Sequence, residues 1–77
     1  MDIKHDLQTL INEALHEKAS SIFLERASAR IAESGKDRES LAAAADKIGK
    51  MVALFIDEDL AKKVVWDMMS RIHEGGS

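Results

Sequence analysis

From Ile3 to Ile72 the apolar residues of this chain recur at helical spacings, and nowhere do they alternate in twos. A period near 3.6 gathers such residues on one side of an α-helix, whereas a half-buried strand needs a period of two. No proline interrupts the pattern, and Ala, Leu, Glu, Lys, Ile and Met are abundant, which are the residues that lose least on entering a helix. The chain is predicted to be all-α.

Three places break the periodicity. The sharpest is Glu33-Ser34-Gly35-Lys36-Asp37-Arg38-Glu39-Ser40, where Gly35 can end one helix in the left-handed conformation and Asp37 can cap the next. Asp57 is a second N-cap candidate, with Glu58 and Asp59 in a first turn where negative charge suits the helix dipole. The third, around Lys18-Ala19-Ser20-Ser21, reads in two ways. Before it, Ile3, Leu7, Leu10, Ile11, Ala14, Leu15 and Ile22 form one stripe; after it, Phe23, Leu24, Ala27 and Ile31 centre on a different side. Either the helix breaks and Ser20 caps a new one, or one long helix carries two apolar faces and leaves the second for another chain.

Beyond the central turn, Leu41, Ala44, Ala45, Ile48, Val52 and Phe55 make a core stripe with Met51 on its flank. Ala61, Val64, Val65, Met68, Met69 and Ile72 make the last one. Glycine inside a helix costs about 1 kcal/mol against alanine, so Gly49 in the series Ala45-Gly49-Ala53 predicts a close crossing with a neighbouring helix. The expected fold is a small antiparallel bundle of three to four helices, hinged near residues 20, 35 and 57. Residues 1–74 form its single domain and 75–77 a flexible C-terminal tail. In a chain of 77 residues burial and ordering entropy nearly cancel. The apolar inventory exceeds what three short helices hide from one another, so the bundle is expected to be completed by a homodimer or a partner protein.

Several functions are excluded on residue type. Without cysteine there is no disulfide framework, thiolate nucleophile or sulfur-ligated zinc. No Gly-rich phosphate loop and no Gly-x-Ser-x-Gly elbow occurs. Asp57, Glu58 and Asp59 are adjacent and point to different sides of a helix, so they do not converge as catalytic carboxylates would. Glu13 and His16 match one Glu-x-x-His motif, but the bundle geometry for metal needs two facing inward, and His5 lies about three turns from His16. No enzyme, cofactor or metal site is expected. Nothing at the start resembles a signal peptide, and Met51 to Ile56 is the longest apolar run, far below the roughly 20 residues of a membrane span. The expected location is cytoplasmic, away from membranes.

Trp66 is the most informative residue. On the last helix it falls opposite Ala61, Val65, Met68 and Ile72, beside Lys62, Lys63, Ser70 and His73. An uncovered tryptophan is costly in water and enriched at interface hot spots. With the displaced Phe23, Leu24 and Ile31, it predicts a non-enzymatic protein-interaction module: a small adaptor, regulator or inhibitor. The alternative comes from charge. The whole chain carries 11 basic and 14 acidic residues, but 26–50 holds six basic (Arg26, Arg30, Lys36, Arg38, Lys47, Lys50) and four acidic, leaving +2. Such a cluster around the 33–40 turn fits phosphate contact by a nucleic-acid regulator, although salt-bridged helix surfaces have the same composition.

Overall fold

Four side chains placed ahead of apolar stripes each accept a hydrogen bond from a first-turn amide, and at each of them a helix begins. The computed structural model describes residues 2–75, in which α1 spans Ile3–Leu15, α2 Ser21–Glu33, α3 Arg38–Phe55 and α4 Glu58–Gly75. Asp2 accepts from the Lys4 amide (3.0 Å), Ser20 from Phe23 (3.2 Å), Asp37 from Ser40 (3.0 Å) and Asp57 from Leu60 (2.9 Å). Each bond satisfies an amide that has no partner inside its own helix.

The ambiguity at Ser20 is resolved as a break. The Lys18 and Ala19 amides turn back onto the Leu15 carbonyl (3.0 and 2.9 Å), and Ser20 is extended at φ −71°, ψ 160° before α2 starts. The break swings Ala27 and Ile31 fully into the core. Its other consequence is that Ile22, in register with the α1 stripe only on an unbroken helix, stands 62% exposed. Ser20→Ala should lower the thermal midpoint by the equivalent of about 1 kcal/mol, with Ser20→Asp retaining the cap. A Ser20→Ala chain that melts with the parent would mean the turn is held by packing alone.

Two further expectations are corrected. Gly35 is not left-handed: no described residue has a positive φ, and α2 ends instead on an extended Ser34 whose amide donates to the Ile31 carbonyl. What Gly35 provides is room, since a Cβ there would lie 2.6 Å from Asp37 Oδ1 and 3.0 Å from Ser40 Oγ. Phe55, expected in the core, is exposed. After it the chain folds back through Ile56, whose amide and that of Asp57 both reach the Val52 carbonyl (2.9 and 3.0 Å). Ile56 packs on the core in its place.

The Ser40 hydroxyl and amide both bond the Asp37 carboxylate and hold its pKa below the ordinary 3.8. A carboxylate depressed in the folded state contributes stability that is present above its unfolded pKa and lost as pH falls through the folded one. The cap of α3 should therefore weaken as pH drops below about 3.8, and Asp37→Asn should remove that part of the acid sensitivity. Melts of the two proteins between neutral pH and pH 3 that stay parallel would contradict it.

The helices run antiparallel in a ring, α1 against α2 and α4, α3 against α2 and α4, with no close approach across the diagonals. Lys4 Nζ, at the start of α1, donates to the carbonyls of Ala32 and Ser34 at the end of α2, and Gln8 donates to Ser28 (3.0 Å). The lysine thus neutralises the negative end of α2. The core takes Leu7, Leu10, Ile11 and Leu15 from α1, Ala27 and Ile31 from α2, Leu41, Ala45, Ile48 and Val52 from α3, and Ala61, Val64, Met68 and Ile72 from α4. One chain therefore supplies every wall of its own core, because the break at Ser20 makes a fourth helix. Gly75 is the last residue of α4; the rest of the predicted tail lies outside the described residues.

Candidate functional site

Along the ring, α3 and α4 pack over the greatest length. They are the two longest helices, and at the level of Gly49 they approach so closely that a Cβ built there would overlap Val65 Cγ2, so only a residue without a side chain lets them meet there. The same small-residue series continues outward to Ala53, which is exposed. Beside it a shallow apolar strip lies between the two helices.

Trp66 follows Val65 and stands at the edge of this strip, 70% exposed. The groove is lined by Gly49 and Ala53 of α3 and by Ala61, Val65, Trp66 and Met69 of α4. Asp46, Lys50, Glu58 and Lys62 form its rim, two charges of each sign. Its volume, about 500 Å³, is that of a ligand pocket, but it is open along its side, whereas small-molecule sites enclose most of their ligand. Lys50 Nζ pairs with Asp46 at 3.4 Å with both side chains well exposed. Such a pair is worth a few tenths of a kcal/mol, so either charge is free to turn to an incoming group.

The expected interface residues separate into three groups. Trp66 and Lys62 share the α3/α4 groove. Lys63 and Ser70 line a different hollow, between α4 and α1, with Leu10, Glu13, Ala14, Asp67, Arg71 and Glu74; His73 is exposed in the last turn of α4. Ile31 is fully buried in the monomer and so is not a contact residue, while Phe23 and Leu24 are half-buried against the core. Sequence reasoning missed the α3 side of the groove, although the signal was the Gly49-Ala53 series itself. It also missed Leu54, which is 80% exposed.

The six basic residues are all exposed, and four of them lie around the 33–40 turn. Lys36 and Arg38 flank the turn, Arg30 and Lys47 share a hollow between α2 and α3 with Glu33, and Lys50 lies on the rim beside Trp66. Of the six, only Lys50 is in an ion pair among the described residues, so salt-bridge dressing accounts for one of them. Glu13 and His16 are exposed, and no three His, Asp or Glu side chains of the described residues come together as a metal site. No described helix is long and apolar enough to cross a membrane.

No family model, curated protein or solved structure matches this chain.

Proposed function

We propose that the chain is a non-enzymatic protein-interaction module, a small adaptor, regulator or inhibitor, that receives an apolar helical segment of a partner in the α3/α4 groove with Trp66 as the anchor. The observation that carries this reading is the exposed indole beside an apolar strip of Gly49, Ala53, Val65 and Met69. A tryptophan offers a large contact area at little entropic cost, and a shallow apolar channel between two helices is what a third helix fills in helix-in-groove recognition. The mixed rim of Asp46, Lys50, Glu58 and Lys62 supplies register.

The occupant is a separate protein or a second copy of the chain in a homodimer, and Trp66 fluorescence distinguishes them. With no other tryptophan and no tyrosine, emission reports this residue alone. The dilute chain should emit to the red. A blue shift on raising the chain's own concentration identifies self-association, and one on adding a partner identifies a complex. Blue emission at every concentration, with no response to acrylamide quenching, would overturn the proposal.

Nucleic-acid regulation is the weaker reading, because Glu33 lies with Arg30 and Lys47 in the hollow beside the turn and Lys50 is paired with Asp46. If it held, affinity for RNA or DNA would fall steeply with salt, and charge reversal at Arg26, Arg30 and Arg38 would abolish binding in a folded chain.

A further inference from the structure

We propose that the outer face of α2 and α3 is a second docking surface, separate from the Trp66 groove, and that it takes an acidic amphipathic helix of another protein. Of the four neighbouring helix pairs this one is the least closely packed. At the end where α2 begins and α3 stops, Phe23 and Phe55 meet edge to face with centroids 6.3 Å apart, yet Phe55 remains 75% exposed. Leu54 and Ile22 stand exposed beside them on the same two helix ends. Four large apolar side chains are thus assembled at one end of an incompletely closed seam.

Further along the seam the character changes to positive. Arg26 lies one turn beyond Ile22 and Phe23 on α2, and Arg30 one turn beyond that. Lys47 lies two turns back from Leu54 on α3 and shares a hollow with Arg30. None of these three cations is in an ion pair among the described residues, and Glu33 is the only carboxylate lining that hollow. From Ile22 to Arg30 the seam runs about 12 Å, roughly two turns of helix. Its complement is a helix with an apolar stripe at one end and carboxylates flanking the stripe along the rest.

Charge decides among possible occupants. A second copy docking by the same face would set Arg26, Arg30 and Lys47 of the two copies together, as an isologous contact requires. Nor does α1 offer the complement: its exposed residues His5, Thr9, Asn12 and Glu13 include nothing apolar. A nucleic acid would satisfy the cations but leave Ile22 and Leu54 uncovered, since bases stack on aromatic side chains rather than aliphatic ones. An anionic bilayer would meet Asp57, Glu58 and Asp59, which directly follow the apolar end, along with the cations.

The test uses two synthetic peptides of about 18 residues, five helical turns, with the same leucine stripe and either Glu or Lys along its flanks. Each is titrated into the isotope-labelled full chain while backbone amide shifts are followed by NMR. The Glu peptide should shift amides in 22–30 and 47–55, and its affinity should fall with added salt. Arg26→Glu with Arg30→Glu, and separately Phe55→Ala, should each weaken it roughly tenfold or more, with circular dichroism unchanged. Lys47→Glu provides a surface variant independent of the aromatic pair and should act in the same direction. Trp66→Ala should leave Glu-peptide affinity within about twofold, since Trp66 stands on α4, outside the α2/α3 seam; this separates the inference from the groove reading. Equal binding of the Lys peptide, absence of shifts with the Glu peptide, or loss of its binding in Trp66→Ala would overturn the proposal. So would tighter binding of an oligouridine or of phosphatidylserine vesicles than of the Glu peptide.

Discussion

Gly49→Leu should be the most damaging single change at the α3/α4 crossing. Even the first carbon of a side chain there overlaps Val65 Cγ2, and valine inside a helix has one strongly preferred rotamer, so it cannot turn aside cheaply. Overpacking of this kind costs about 1–3 kcal/mol, against which leucine recovers less than about 1 kcal/mol of helix propensity. In a domain this small each kcal/mol moves the midpoint by about 4–8 °C, so the loss is readily measured by thermal melting. Gly49→Ala should also destabilise, by less. Alanine at 49 melting above the parent would show that the helices separate without penalty and that propensity outweighs the crossing.

Trp66→Ala should have the opposite signature: little change in folding and a large loss of association. An exposed indole contributes little to the isolated fold, so stability should stay within about 0.5 kcal/mol of the parent. As the anchor of a complex, the same residue should cost about 2–4 kcal/mol of binding, a drop of tens to hundreds of times in affinity. A tryptophan needed inside the monomer would behave differently, with truncation costing about 3–5 kcal/mol of folding stability. Calorimetric melts paired with a binding titration separate the two. An unfolded alanine variant would place Trp66 in the core and remove the groove reading.

How much of the candidate site was readable depended on whether a residue's environment is set within one helix or between two. The exposure of Trp66 was legible because its angle from Val64, Met68 and Ile72 is a property of α4 alone. Its neighbours were misread: Ala61 and Val65, expected opposite it, line the same groove, and Lys63 and Ser70 line another hollow. Gly49 was legible because its intrinsic cost needed an explanation. The pairing of Ala53 with Trp66 across the groove was not, because no helical period relates residues on different helices. Phe55 and Ile22 were misplaced for a related reason. Each continues a stripe only if its helix continues, and both sit at ends, where the chain turns and a neighbour such as Ile56 takes the inward position.

The sequence alone determined the all-α class, the N-caps at Asp37 and Asp57, and the face each later helix buries, because capping and periodicity act within a few residues along the chain. The tertiary structure decided that the chain breaks at Ser20, so that four helices close one core, because a long two-faced helix and a broken one satisfy the local rules equally. It also decided which apolar side chains remain outside. Ile56 packs on the core where Phe55 was expected, and Ile22 and Phe55 stay outside because the chain turns at those helix ends, which only the packed bundle determines.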